Sequence, residues 1–256
     1  MSFASPFTDK ASGSAKLRTT WCRRIPVPSG LGWRLGLAAP ILLISVIGGR
    51  IIPSFTRNWL VKRRVARLPA SHSAVDIAAV GLLHAGLITW AAIPDLHLVG
   101  MLLIIAAAIN AWRLVRWVGG STLPEPLLFI LHVGYAWVVV GVTLLGLSIL
   151  DAGVPVASAI HALTVGAIGT MILAVMTRAT LGHTGHDLTA SRATVAIYVL
   201  INAAAIARIA ASWSTNAMMI LIVLSGVCWI VAFGFFEIVY GLLLLTPWRD
   251  IGEDRR

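Results

Sequence analysis

Charge is scarce in this chain, and negative charge scarcest: 12% of its 256 residues are charged, with 10 Asp and Glu against 20 Lys and Arg. A soluble domain carries about 25% charged residues, so a water-facing surface over most of the molecule is excluded. Cysteine is nearly absent. Its two copies, Cys22 in a basic N-terminal stretch and Cys228 inside an apolar run, suggest neither a disulfide framework nor a thiolate metal site. No apolar h-region precedes Leu35, so no cleavable signal peptide is expected. Sequence patterns for hydrolysis, nucleotide binding or phosphoryl transfer are missing as well.

What is abundant is apolar surface. Hydrophobic residues make up 58% of the chain and the mean hydropathy is +0.89, which defines a polytopic membrane protein whose first partner is the lipid bilayer. The net charge of +10 sits in short links between apolar runs. Charge placed there sets orientation, so no nucleic-acid partner follows.

A helix crossing a hydrocarbon core of ~30 Å needs ~20 largely apolar residues. Cutting the chain at its charges and Pro/Gly turns predicts seven such helices, near 33–52, 75–94, 96–114, 126–150, 156–177, 193–212 and 217–245. The expected fold class is an all-α membrane bundle of about seven transmembrane helices. Residues 35–246 form the helical domain, 1–34 a basic segment that is disordered or peripheral, and 247–256 a short charged cytoplasmic tail. Pro94-Asp95 is a turn tight enough that the helices on either side must be antiparallel neighbours.

Arg57, Lys62, Arg63, Arg64 and Arg67 fill one link, Arg113 and Arg116 the next on that side, and Arg178 and Arg192 the third. The alternate links carry Asp95 and Asp151. This asymmetry predicts that the basic links and the C-terminus face the cytoplasm of a bacterial inner membrane. Seven helices then leave outside an N-terminus that carries Lys10, Lys16, Arg18, Arg23, Arg24 and Arg34, against the rule. The expectation is that further helices precede this segment in longer relatives.

Histidine is the chemistry-bearing residue. His84, His132 and His161 fall inside predicted spans, His97 at an outer helix start, and His72, His183 and His186 in cytoplasmic links. Neutral imidazole ligates heme iron, copper and zinc, and an intramembrane histidine is a functional candidate by default. Each could equally be a buried histidine bonded to a helix carbonyl or a neighbouring hydroxyl. At ~1.5 Å per residue, His84 lies near midplane, His132 in the inner half and His161 in the outer part, so one heme bridged by His132 and His161 is disfavoured. His183, His186 and Asp187 could form an imidazole and carboxylate metal site. A solvated loop, with Arg178 anchoring the helix end among phosphates, is the alternative. Gly166 and Gly169 thin one face of the fifth helix for a neighbouring helix or a flat cofactor, and Met171 and Met176 read mainly as packing.

The segment Gly48 to Leu60, GGRIIPSFTRNWL, reads as a helix that stops abruptly near Pro53, with Thr56 available to cap freed backbone groups. Arg50 and Arg57 could bind anionic lipid headgroups or the propionates of a heme.

Three segments, GGRIIPSFTRNWL, LHVGYAW around His132 and HALTVGAIGTMILAVMTRATLGHTG from His161 to Gly185, together resemble the NnrS family of bacterial heme- and copper-containing membrane proteins. The resemblance covers about residues 35 to 245. It implies a part in nitric oxide metabolism or resistance to nitrosative stress, as in denitrification, with heme and copper as cofactors and nitric oxide or a related small molecule as ligand. By matching position, His132, His161 and His183 are ligand candidates, and Arg50, Pro53, Thr56, Thr177 and Arg178 are the motif residues around them. His84 and His186 join the candidates from the residue reading alone. Family members are usually longer, so the chain is expected to correspond to their C-terminal helices. A transporter or channel using the intramembrane histidines, and a non-functional truncated member, are the rival expectations.

Overall fold

A computed structural model describes residues 29–245. The extreme N-terminal segment, with Cys22, and the charged tail at 247–256 lie outside the described residues. Seven helices are long and apolar enough to cross a membrane: α1 (Leu31–Lys62), α2 (Ala74–Ala92), α3 (His97–Val115), α4 (Pro126–Ile149), α5 (Val156–His183), α6 (Arg192–Ala211) and α7 (Met218–Leu245). No strand occurs among the described residues. Below, the basic end holds the α1–α2, α3–α4 and α5–α6 links, and the acidic end the other three.

The helices start where short-range chemistry allows. Ser73 precedes α2, and its N–H donates to the Asp76 carboxylate at 3.0 Å, closing a capping box. Pro126 opens α4 at a position where a missing N–H costs nothing. Ser191 opens α6 by accepting the Thr194 N–H at 3.1 Å.

The expected stop near Pro53 does not occur. α1 runs on to Lys62, a length of ~48 Å at 1.5 Å per residue, well beyond ~30 Å of hydrocarbon. A π-helical turn at Ile44–Gly48 directly precedes the proline-bearing stretch. Pro53 lies five residues beyond it, inside the α-helical stretch Gly49–Lys62, and does not end the helix. Thr56 donates to the Ile52 carbonyl at 2.8 Å within the helix instead of capping an end. A second π-helical stretch, Ala162–Gly169, follows His161 in α5.

The core forms two clusters stacked along the membrane normal. One fills the acidic half, with Leu37, Ile41, Leu83, Leu103, Val142 and Leu163. The other fills the basic half, with Ile52, Trp117, Leu128, Tyr135, Leu173 and Tyr198. Without a hydrophobic drive between helices in lipid, close contact depends on small residues. α3 and α4 meet backbone to backbone at Gly100 and Gly146, where an added Cβ on Gly146 would lie 2.9 Å from the Gly100 oxygen. Gly166 serves helix packing in the same way: the Trp137 ring occupies the space a side chain would take. Met171 is buried against Gly134 while Met176 is exposed.

Candidate functional site

His132 sits on α4 within two turns of Pro126 and is buried. Its Nδ1 lies 3.1 Å from the Leu128 carbonyl and its Nε2 3.2 Å from the Thr56 hydroxyl on α1. A carbonyl only accepts, so Nδ1 carries a hydrogen. In the neutral ring Nε2 then holds the lone pair and faces the Thr56 hydroxyl, whose single hydrogen goes either to Nε2 or to the Ile52 carbonyl. A carbonyl that fixes Nδ1–H sets the tautomer a ligating histidine needs.

The surroundings of the ring come from the α3–α4 link. Val118 adopts φ 57°, a left-handed turn unusual for a β-branched residue, and Gly119 follows. This bend lays the Gly119 backbone on the imidazole: a Cβ there would stand 2.5 Å from Cδ2 of His132. Trp117 meets His132 edge-on, with ring centroids 6.4 Å apart. The imidazole forms part of the wall of a cavity of about 600 Å³, with Arg67, Leu114, Val118, Phe129 and Val133. That volume lies within the ~300–1,000 Å³ usual for cofactor pockets, and the walls are mainly apolar.

Beneath Trp117 lies a buried polar network that residue spacing alone does not assemble. Arg113, 2% exposed, donates from Nε to Asp76 at 3.0 Å, and from one terminal nitrogen to the Tyr135 hydroxyl at 3.0 Å and the Ser45 carbonyl at 3.2 Å. Tyr135 donates onward to Asn110 at 2.6 Å. Arg116 holds the other carboxylate oxygen of Asp76 at 3.3 Å. The Ser45 carbonyl belongs to the π-helical turn of α1, and Gly49 leaves the room that the guanidinium occupies. Paired and bonded in this way, the charges meet the conditions for burial. The signal in the sequence is an acid in the first turn of one span and an arginine in the last turn of its antiparallel neighbour.

The three motif segments converge here. Thr56 of the first meets His132 of the second; Arg178 of the third lies over the Phe55 ring of the first, 4.4 Å from its centroid. Thr177 bonds the Tyr198 hydroxyl at 2.5 Å. Gly134 packs on Met171, joining the second segment to the third. Glu125 keeps one carboxylate oxygen buried without a hydrogen-bond partner among the described residues, close enough to Arg178 to act on its charge.

The other candidates lie apart. Packing of residue 134 on 171, 137 on 166 and 141 on 163 sets the antiparallel register of α4 and α5. That register places His161 level with residue 143, roughly 16 Å along the axis from His132 at 1.5 Å per residue. His161 is half-buried, with Arg208 near enough to act electrostatically. His84 is half-buried in α2 and bonds the Val80 carbonyl at 2.8 Å. His183 ends α5 and is exposed; His186, also exposed, bonds Thr184 at 2.9 Å. His97 pairs with Asp151 at 3.5 Å at the acidic end. Arg50 lines a different groove from His132, and the cation at the His132 cavity is Arg67. No three His, Cys, Asp or Glu side chains gather in a metal-binding arrangement among the described residues.

Seven apolar helices define a multi-pass membrane protein, and His132 lines a cofactor-sized cavity formed by α3, α4 and their link near its basic end. The NnrS protein family model matches residues 11–248, and the chain belongs to that family. No curated protein and no solved structure matches it.

Proposed function

We propose that this NnrS-family chain is a heme-binding protein of nitric oxide metabolism or resistance to nitrosative stress. In this reading it lies in a bacterial inner membrane, with its basic end and C-terminus in the cytoplasm. The observation that carries it is the contact of Thr56 in the first motif segment with His132 in the second, beside a cavity of cofactor size, with the third segment packed on their neighbours Phe55 and Gly134.

The cavity residues fit a heme. His132 would offer Nε2, kept unprotonated by the Nδ1–H bond to the Leu128 carbonyl, on release from the Thr56 hydroxyl; Leu114, Phe129 and Val133 offer apolar walls; Arg67 offers a cation for a propionate. Gly119 lets the backbone approach the ring where any side chain would strike it. No second histidine lines this cavity among the described residues, so His132 would be the histidine that holds the group here. Bound heme iron supplies the affinity for nitric oxide. The protein holds the imidazole, keeps its tautomer and excludes water with apolar side chains. Copper follows from the family, but the described donors do not gather into a set that fits a copper centre, and no step is assigned to it.

The test is an absorption spectrum with metal analysis of the detergent-purified protein. A Soret band that disappears in His132→Ala and survives in His161→Ala and His183→Ala is expected. A colourless, metal-free protein would refute the reading, and substrate movement by that protein in vesicles would favour transport.

A further inference from the structure

A second concavity, about 290 Å³, opens at the basic end between α1 and the α1–α2 link. Arg50, Ser54 and Arg57 line it from α1. They are spaced i, i+4 and i+7, which places all three on one helix face with the two guanidiniums about 10 Å apart along the axis. Pro69, Ser71 and His72 form the opposite wall. Among the described residues, Arg50, Arg57 and His72 make no hydrogen bond or ion pair.

The far wall is held by the buried network. The Ala70 N–H donates to the Arg116 carbonyl at 3.1 Å, and Arg116 donates to the Ser71 carbonyl at 3.0 Å while also holding Asp76. Asp76 reaches the groove, but its oxygens are occupied by Arg113, Arg116 and the Ser73 N–H. Arg113 and Arg116 therefore neutralise this carboxylate, and Arg50 and Arg57 are left without a counter-charge among the described residues. The remaining charge is positive, and hydroxyls at Ser54 and Ser71 stand beside it.

Depth narrows the anion. From Leu31, ~30 Å of hydrocarbon at 1.5 Å per residue is spent near Arg50, so the exposed Arg50 and Arg57 lie in the basic part of α1, from which long side chains reach the headgroups. Trp117 lines the groove and packs its ring on His132, separating the groove from the heme-sized cavity.

We infer that this groove binds the phosphate of one anionic phospholipid headgroup, with Arg50 and Arg57 supplying the charge and Ser54 and Ser71 the hydrogen bonds. The inference does not depend on heme. Native mass spectrometry of the full chain, titrated with phosphatidylglycerol or phosphatidylcholine, tests it. One phosphatidylglycerol should be retained in preference to phosphatidylcholine by about tenfold. That preference should vanish in Arg50→Gln/Arg57→Gln and persist in Arg63→Gln, whose guanidinium stacks on Trp59 outside the groove. Equal retention of the two lipids, or a preference untouched by the double substitution, would overturn it. Release of the bound lipid by millimolar inorganic phosphate, with phosphate retained in its place, would assign the groove to free phosphate and overturn the lipid assignment.

Discussion

Thr56 on α1 and His132 on α4 stand 76 residues apart in the chain, and their side chains meet at 3.2 Å. The threonine hydroxyl can give its hydrogen to Nε2 or to the Ile52 carbonyl, 2.8 Å away, but not to both at once. Replacing it by the isosteric valine removes the partner of Nε2 and leaves the histidine in place. Thr56→Val should lower stability by about 1–2 kcal/mol, read as a fall in melting temperature in detergent, while any Soret band survives. Thr56→Ser should restore the loss.

Gly119 and Gly120 form a matched pair of controls. A methyl at 119 strikes the His132 ring, while one at 120 has nothing within 4 Å. Gly119→Ala should cost about 1–3 kcal/mol by overpacking and abolish or shift any Soret band; Gly120→Ala, on the cavity wall but clear of the imidazole, should leave the melting temperature unchanged. Identical behaviour of the two variants in absorption and melting would show that the ring is not confined by this backbone.

Asp76→Asn removes the only carboxylate bonded to Arg113 among the described residues, stranding a guanidinium that is 2% exposed. Breaking a buried pair from one side costs about 3–5 kcal/mol. Accumulation in the membrane and thermal stability should both drop steeply. Adding Arg113→Gln should recover part of the loss, which fluorescence-detected size exclusion would show.

Phe55 and Arg178 couple the first motif segment to the third across 4.4 Å. A double-mutant cycle with Phe55→Leu and Arg178→Gln should return a coupling of about 0.5–2 kcal/mol in thermal unfolding. Strict additivity would mean that the stacking contributes nothing.

The charge asymmetry of the links predicts the topology directly. A fluorescent protein fused after Arg256 should fluoresce, and alkaline phosphatase fused at Asp151 should be active. The opposite pattern would invert the orientation and move the basic end outside.

Seven helices, their ends to within a few residues except the C-terminal ends of α1 and α5, and the alternation of basic and acidic links are legible in the residues themselves. Each depends on local composition: a run of ~20 apolar residues has one low-energy conformation in lipid, and breaks such as Pro94-Asp95 or Ser191 act on their own neighbours. The continuation of α1 past Pro53 is not legible, because Pro53 alone signals an end. The π-helical turn at Ile44–Gly48 is not legible either, and its Ser45 carbonyl is bonded by Arg113 from another helix.

The site divides along the same line. That His132 is buried within a span, and that it belongs with GGRIIPSFTRNWL, can be read from the residues and the family resemblance. Which side chains meet it cannot. Trp117, Gly119 and Arg67 come from links whose path depends on long-range contacts, and Arg113, a link charge by its position in the chain, is interior because Asp76, Tyr135 and Gly49 leave a charged side chain a complete set of partners. Apolar periodicity and helix length are properties of adjacent residues, so the seven spans follow from local composition. Burial of a charge and confinement of a ring require groups from several helices at once, so the surroundings of Arg113 and His132 emerge with the packing of the bundle.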